Sequence, residues 1–492
     1  MKQRRLVVRG AVPLVLCASV AARMPLAGRA AFVHYGSSAM WSTRSTLTSS
    51  AQHADEIAAE TRLCARLSSG LRTHVRTCRN SATLHAGVEA ANGGSPSAND
   101  GDQSALDERV KAAVAAMPCR PRCAVLGGGF AGLATAYHLA AFGSDVTVFD
   151  PNEVGTGGAS AVAAGLLHPL TPRGKLIWKG EEGFKAAMEM IETANAGLSG
   201  AAGGESQEQT KRDCLTTGKV YRPLMDETQY DVFTKAAEEL PQWVQRLTRE
   251  EYLEAVPGSD TGCLGGVHIR GALALDAPSY LKGLWAACCG ALSTKSSTGG
   301  DDRAKWVRER VESVHALEAS GEFDAVVACV GAGVHTLAGV KDIVSLRLYV
   351  VPTAAGGPTG NGGKLLCGST QEPVLRGEAI DKPANMAKAL RQLGPKIAKF
   401  FPALQGVEPL GVTSGVRVIQ DRNSHGRIPI AGRLPFSEKG WVIAALGARG
   451  LIHHAYLGRL VAACALINSD DLLPPQVMAP LEDLGKDSTG DL

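Results

Sequence analysis

Apolar residues fall into short continuous runs and longer amphipathic stretches, which alternate from about residue 122 onward. Short runs bounded by glycine or charged residues predict strands, and stretches with helical spacing predict helices. The predicted strands are 123–126, 145–149, 218–222, 310–317, 345–353 and 363–368, and the predicted helices are 181–196, 229–247 and 383–400. Asp276, before Ala277 and Pro278, predicts the N-cap of a further helix. Strands that alternate with helices indicate an α/β fold.

A glycine-rich turn follows the first predicted strand, and helix-like residues 133–143 come directly after it. In such a strand–turn–helix unit, glycines permit the tight turn, the close approach of a pyrophosphate and the close packing of helix on sheet. Asp150 ends the second strand, where a carboxylate can accept hydrogen bonds from ribose hydroxyls. The unit predicts a dinucleotide site formed by Gly127, Gly128, Gly129, Phe130, Ala131, Gly132 and Asp150.

The segment after Asp150 separates two classes of dinucleotide enzyme. An NAD-dependent dehydrogenase usually continues with another helix and strand, whereas residues 155–169 are rich in glycine and alanine. Small side chains let the backbone pass close to a large planar ligand. The pattern therefore favours FAD, with an NAD-dependent dehydrogenase as a remoter alternative.

Several segments resemble the D-amino-acid oxidase and glycine oxidase family of flavoproteins. They are residues 155–169, 323–334, 415–417 with 421–432, and 441–450. The resemblance implies a Rossmann-like FAD-binding domain with an interleaved α+β substrate domain built on a mixed sheet. It also implies cofactor contacts from Ala159, Ser160, Gly165, Gly331, Gly447, Arg449, Gly450 and Leu451. Non-covalent FAD is expected, because Ala or Val stands where some relatives carry a flavin-linked histidine.

The family chemistry is oxidation of the C–N bond of a small-molecule amino acid or amine, with hydride transfer to flavin and hydrolysis of the imine. The resemblance places Arg417 as the carboxylate-binding residue, and a guanidinium suits that task because it pairs through two parallel hydrogen bonds. Dioxygen is a candidate electron acceptor, and no metal is expected. Packing explains His168, His453 and His454 better than catalysis does, because hydride transfer from a neutral amine needs no strong base.

Two alternative functions stay open. Residues 447–451 and 166–169 look especially like the branch of the family that removes a carboxymethyl group from a wobble uridine of tRNA. Residues 1–115 carry 14 Lys and Arg against 8 Asp and Glu, which leaves 37 against 40 in the remainder. The net charge of +3 therefore belongs to the N-terminal region, and the remaining −3 disfavours nucleic-acid binding without excluding tRNA. The second alternative is a flavin-binding protein without turnover.

The N-terminal region has the composition of a targeting leader. It contains seven basic residues and no acidic residue before Asp55. The apolar run 11–22 also suits a signal peptide, alone or within a two-part plastid leader, and is short for a membrane span. We expect an organelle location, plastid (chloroplast) first and mitochondrion as the alternative, and no transmembrane span in the mature protein. The 12 cysteines lack metal-site spacing, which indicates buried thiols in a reducing compartment.

These assignments give the expected domain boundaries. Residues 1–115 would form the leader and a disordered linker. The FAD-binding domain would comprise 116–172, 266–344 and 411–492, the last with a C-terminal tail, and the substrate domain 173–265 and 345–410.

Overall fold

The computed structural model describes most of the chain from residue 100 onward. The described residues are 16–17, 100–200, 214–259, 262–292, 303–338, 347–358, 364–368, 372–373, 386–402, 405–406, 411–420, 427–435 and 437–487. All of them belong to one folded unit.

Strands and helices alternate along the described residues. The strands are β1 Leu16–Cys17, β2 Arg122–Leu126, β3 Asp145–Phe149, β4 Leu166–Leu167, β5 Leu215–Thr217, β6 Val220–Leu224, β7 Val244–Leu247, β8 Gly265–Ile269, β9 Leu273–Leu275, β10 Ala304–Val307, β11 Ala325–Ala328, β12 Arg347–Pro358, β13 Lys364–Gly368, β14 Glu372–Pro373, β15 Gly411–Ile419, β16 Ile430–Arg433 and β17 Gly440–Ala444. The helices are α1 Asp100–Ala115, α2 Phe130–Ala141, α3 Gly158–Ala161, α4 Gly180–Gly200, α5 Glu227–Glu239, α6 Arg249–Ala255, α7 Ala277–Leu292, α8 Val314–Ser320, α9 Met386–Phe400, α10 Gly450–Ile467 and α11 Pro475–Asp487, with 3₁₀ turns at Gly331–His335 and Gly447–Arg449.

The largest sheet in the described part has six strands, in the order β10-β3-β2-β11-β17-β16. The first five strands are parallel and β16 is antiparallel to β17. Alternate residues of a strand face opposite sides, and in β2 Cys123 and Val125 join one buried cluster while Ala124 and Leu126 join another. Helices α2, α4, α7 and α10 pack together on the first side. This is the Rossmann-like layered arrangement expected from the sequence.

A second, mixed sheet surrounds the long strand β12. Strands β13, β14 and β15 pair with β12 in antiparallel fashion, and β1 pairs with β13 in parallel. Two smaller antiparallel sheets have the orders β4-β9-β5 and β6-β8-β7. The fold is therefore α/β with mixed sheets, as predicted.

Two predicted elements were wrong. The predicted helix 229–247 ends at Glu239, because the Leu240-Pro241 pair disfavours further helix, and residues 244–247 form β7 instead. The predicted strand 310–317 overlaps the first residues of α8, whose N-cap Ser313 accepts a hydrogen bond from Ala316 N at 3.3 Å. The strand that joins the six-stranded sheet at this point is β10. By contrast, Asp276 accepts from Ser279 N at 3.0 Å, as expected of the predicted N-cap.

Three segments pack across the expected domain boundaries. Helix α1 was assigned to the disordered linker, but Val110 and Val114 are buried in the main core, and Arg459 donates to Asp107 Oδ1 and Gln103 Oε1, both at 2.9 Å. Helix α4 was assigned to the substrate domain, yet it packs against α7 and α10, which were assigned to the expected FAD-binding domain. Strand β15 was assigned to the FAD-binding domain, but it pairs with β12 along its whole length.

One helix in the described part, Gly447–Ile467, is long and apolar enough to cross a membrane by length and composition. Inside the protein 72% of its most apolar window is buried, and it packs against α2 and α4. These contacts are those of a core helix, which is apolar on all sides because protein surrounds it.

Candidate active site

The structure brings most of the predicted cofactor residues to one edge of the six-stranded sheet. Strands β3, β2, β11 and β17 are parallel neighbours, so their carboxyl ends meet at the same edge. The segments that follow them are Asp150 after β3, Gly127–Gly132 after β2, Gly331–His335 after β11 and Gly447–Leu451 after β17. In open α/β sheets ligands bind outside this edge.

The glycine turn after β2 is tight for reasons visible in the structure. Gly127 has a φ of 95°, and a Cβ there would lie 2.6 Å from the Cys329 carbonyl oxygen. A Cβ on Gly132 would overlap the Gly127 carbonyl oxygen. These contacts place the start of α2 directly against the sheet edge, where first-turn N–H groups without a helical acceptor suit a phosphate. Phe130 N donates to Ser160 Oγ at 3.1 Å, and the next amides in this turn belong to Ala131 and Gly132.

Asp150 lies beside this turn. Its Oδ2 accepts from Gly128 N at 2.7 Å, and its Oδ1 accepts from Asn152 N at 2.8 Å and Asn152 Nδ2 at 3.0 Å. An ionised carboxylate has about four acceptor positions. One position is therefore left for a ribose hydroxyl, and the residue fits the predicted role.

The small-residue segment 155–169 follows Asp150. It contains the short helix α3, and the Ser160 hydroxyl lies so near the turn that a Cβ on Gly129 would be 2.9 Å from it. Ala159 lies beside β15, because a Cβ on Gly415 would be 2.8 Å from Ala159 Cα. Gly165 lies against β9, because a Cβ added at this glycine would overlap the Leu275 carbonyl oxygen.

Strand β15 passes between α3 and the Gly447 turn, and it carries Arg417. Near its middle Gly415 contacts α3, and at its end Ile419 Cγ1 would lie 3.3 Å from a Cβ on Gly447. Arg417 lies halfway between those two positions, paired in register with Tyr349 of β12. Alternation along the strand puts Gly415 and Arg417 on the same face. Arg417 therefore lies on the face of β15 that contacts the predicted cofactor segments.

The turn before α10 supplies a second arginine. Gly447 has a φ of 58° and begins the 3₁₀ turn that ends at Arg449. Burial, followed by the charge of Arg427, lowers the pKa of the Arg449 guanidinium. Within the described residues Arg449 has no carboxylate in ion-pair distance, so it contributes positive charge to this end of the site.

The three histidines near the site are held neutral. Burial, then Arg222 and Arg449, lowers the pKa of His168 to about 4. Burial, then Arg449 and His454, lowers the pKa of His453 to about 3, and burial lowers the pKa of His454 to about 4. A group with such a pKa is deprotonated at neutral pH but is a weak base. None of the three therefore adds positive charge to the site at neutral pH.

One residue beside the site was missed in the sequence. The Trp306 ring of β10 occupies the space that a Cβ on Gly128 would need. Gly128 is one of the predicted cofactor contacts, and in the structure its missing side chain makes room for this indole. The signal in the sequence was an aromatic residue in a short run, which is typical of any strand.

Comparisons with known proteins define the class. A family model described as DAO, FAD dependent oxidoreductase, matches residues 122–464. The chain is 25% identical over 402 residues to the tRNA 5-methylaminomethyl-2-thiouridine biosynthesis bifunctional protein MnmC of Delftia acidovorans, which covers 70% of this chain and 57% of that protein. The chain thus spans little more than half the length of this curated relative.

Solved structures share the fold. Glycine oxidase from Geobacillus kaustophilus matches with a TM-score of 0.54 at 20% identity, over 73% of this chain and 98% of that one. L-proline dehydrogenase from P. horikoshii matches with a TM-score of 0.55 at 16% identity, over 76% of this chain and 100% of that one. The chain belongs to the DAO family of FAD-dependent oxidoreductases, and it is an enzyme whose cofactor is FAD. The glycine turn, the α2 amides and the Asp150 carboxylate fit that cofactor.

Proposed function

We propose that this protein oxidises the C–N bond of a small amino acid or secondary amine. Bound FAD supplies the hydride acceptor for this chemistry, and the imine product is hydrolysed by water. The observation that carries the proposal is the position of Arg417 on β15, between α3 and the Gly447 turn. Such an arginine can hold a substrate carboxylate through paired hydrogen bonds and so orient the adjacent carbon.

Electrostatics at the α10 end of the site support the same reaction. Reduction leaves negative charge on the cofactor, and a helix N-terminus with a cation stabilises negative charge nearby. Helix α10 begins at Gly450, directly after the Arg449 guanidinium. His168 and His453 are uncharged at neutral pH, so the positive charge at this end of the site comes from Arg449 and the helix N-terminus.

Replacement of Arg417 by Gln tests the anchor. We expect the apparent affinity for carboxylated amines to fall at least about thirtyfold, because losing one partner of a buried charge pair costs roughly 2–5 kcal/mol. Amines of matched size without a carboxylate should be oxidised as before. The measurement is steady-state KM and kcat on each paired substrate.

The matched control is Arg246→Gln. Arg246 stacks on Tyr230 at 4.8 Å, away from the sheet edge, and donates to Thr234 Oγ1 at 3.1 Å. The Arg246→Gln variant should keep the parent affinity for carboxylated amines. Equal KM values for the Arg417 variant and the parent would remove the anchor assignment.

A second candidate function is oxidative removal of a carboxymethyl group from tRNA. It is favoured by the 25% identity to the bifunctional tRNA-modifying protein over 402 residues. A tRNA enzyme contacts several phosphates, so its binding must weaken steeply as salt rises. Titration of labelled tRNA with the full-length protein at about 50 and 200 mM salt, roughly the range over which phosphate contacts are lost, separates the two functions. Absence of binding at the lower salt would exclude the tRNA function.

We also propose dioxygen as the electron acceptor of the reduced flavin. Air admitted to the reduced protein should restore the oxidised flavin spectrum with release of one molecule of hydrogen peroxide per flavin.

We propose the plastid as the location of the protein. The basic, acid-free composition of residues 1–54 supports plastid import. A fusion of residues 1–115 to a fluorescent protein should coincide with chlorophyll fluorescence, and a mitochondrial signal would contradict the plastid location.

A further inference from the structure

The order of strands in the six-stranded sheet gives a direction for the cofactor. The turn suited to the pyrophosphate follows β2, and the ribose acceptor Asp150 follows the next strand, β3. The Gly447 turn lies on the other side, after β17. A dinucleotide that crosses the edge in this order has its adenine beyond β3, and the strand beyond β3 is β10.

Trp306 lies near the end of β10, at that place. It pairs in register with Val148 of β3, and Val307 pairs with Phe149. The backbone of Asp150 is tied to the same point, because Asp150 N donates to Val307 O at 3.0 Å. The indole is therefore beside the ribose acceptor.

Three contacts hold the indole in position. Its six-membered ring lies against Gly128, and its Nε1 donates to the Asn152 carbonyl oxygen at 3.1 Å. Trp285 of α7 packs against it in a T-shaped arrangement, with ring centroids 5.3 Å apart. The Trp306 side chain is half-buried, whereas the core residue Trp441 is fully buried. Trp306 thus combines a fixed orientation with an accessible aromatic surface.

We propose that Trp306 forms the aromatic wall of the adenine subsite and that adenine nucleotides bind against its ring. Stacking of a base on an aromatic side chain is favourable and needs no matching of hydrogen bonds. A ring that is already fixed loses little conformational freedom when the base binds. The inference requires that the protein binds FAD, and it is independent of the proposed amine substrate.

ADP binding to the full-length, flavin-free protein tests the assignment, because ADP carries the adenine end without the flavin. We expect Trp306→Leu to weaken ADP and FAD about tenfold, with FMN affinity unchanged. Trp306→Phe keeps an aromatic ring and should retain most of the ADP affinity. The control Trp243→Leu removes an indole that packs on Phe184 and donates to Glu181, and it should keep ADP affinity within about twofold.

Tryptophan fluorescence provides a readout that does not depend on folding of the leucine variant. ADP should quench the tryptophan fluorescence of the parent protein but not that of Trp306→Phe. Calorimetry should still detect ADP binding to that variant. Equal quenching in both proteins would overturn the proposal, as would parent-like ADP affinity in Trp306→Leu or a parallel loss of ADP and FMN. Failure of every amine to reduce the flavin would leave these results unaffected and would contradict only the proposed substrate.

Discussion

Tyr280 and His454 form a buried hydrogen bond beneath the glycine turn. Their Oη and Nε2 atoms are 2.6 Å apart, and His454 Nδ1 lies 2.9 Å from the Leu451 carbonyl oxygen. Because the carbonyl can only accept, Nδ1 carries the proton and Nε2 accepts from the tyrosine. Phe130 packs against both rings, with centroids 5.9 and 5.6 Å away. The pair thus joins α7 and α10 under the first residue of α2.

Replacement of Tyr280 by Phe should destabilise the protein by about 1–3 kcal/mol, because it leaves a buried imidazole nitrogen without a partner. Urea unfolding of the full-length protein measures the change. Tyr137→Phe is the control, since Tyr137 is half-buried on α2 and packs edge-on against His138. If both variants unfold at the same urea concentration as the parent, the hydrogen bond contributes nothing to stability.

The residues of the site differ in how far the sequence could predict them. Gly127, Gly132 and Asp150 belong to one local unit, and their roles depend on neighbours a few positions away. The partner of Gly128 could not be predicted, because Trp306 comes from a strand far along the chain. Arg417 was assigned through family resemblance, and no local pattern indicates that β15 passes Ala159.

At the scale of elements, the contact between β15 and α3 joins the mixed sheet to the cofactor segments. Gly415 permits it, since a Cβ would lie 2.8 Å from both Ala159 Cα and Val162 Cγ2. Gly415→Ala should force the two elements apart. Overpacking of this kind costs about 1–3 kcal/mol, so we expect FAD affinity to fall about tenfold.

Equilibrium dialysis with FAD measures this effect, with Gly394→Ala as the control. Gly394 is on α9, and an added Cβ there meets open space, so alanine should be neutral or slightly stabilising. Parent-like FAD affinity in the Gly415 variant would show that the contact is not needed to hold the cofactor.

Elements with a local signal were predicted well, and those set by distant partners were not. Strand β3 has the predicted bounds, because its alternating apolar residues and flanking polar residues are local features. Helix α5 was predicted too long although Pro241 marked its end. Strand β10 was missed because four residues gain strand character only by pairing with β3, and 310–317 was chosen in its place.

At the scale of the whole molecule, two adjacent buried histidines make stability depend on pH. Burial lowers the pKa of His453 to about 3 and of His454 to about 4, against 6.5 for an ordinary imidazole. Below pH 6.5 the unfolded chain binds protons that the folded protein does not. The free energy of unfolding therefore falls as pH decreases, by about 1.4 kcal/mol per pH unit for each imidazole.

Urea unfolding at pH 7 and pH 5 measures this dependence, and stability should be lower at pH 5. His453→Gln removes one titrating group, so the difference between the two pH values should shrink. A parent protein equally stable at both values would contradict the assignment of neutral, buried histidines.

The arrangement of the whole sheet underlies the functional account. Four neighbouring parallel strands place the glycine turn, Asp150, the Gly331 turn and the start of α10 at one edge, and β15 adds Arg417 from the mixed sheet. The local sequence pattern predicted the glycine turn and Asp150, and the family resemblance assigned the other segments to the same cofactor. The sheet order, which gives the cofactor its direction, comes from the structure alone.

Anaerobic reduction of the bound flavin tests the central claim most directly. The full-length protein, purified with FAD, would be mixed with a panel of glycine-like, cyclic and N-carboxymethyl amines in the absence of oxygen, and its visible absorbance followed. We predict that at least one carboxylated amine bleaches the oxidised flavin bands stoichiometrically. If dithionite bleaches the flavin and no amine does, the protein is not an amine-oxidising enzyme.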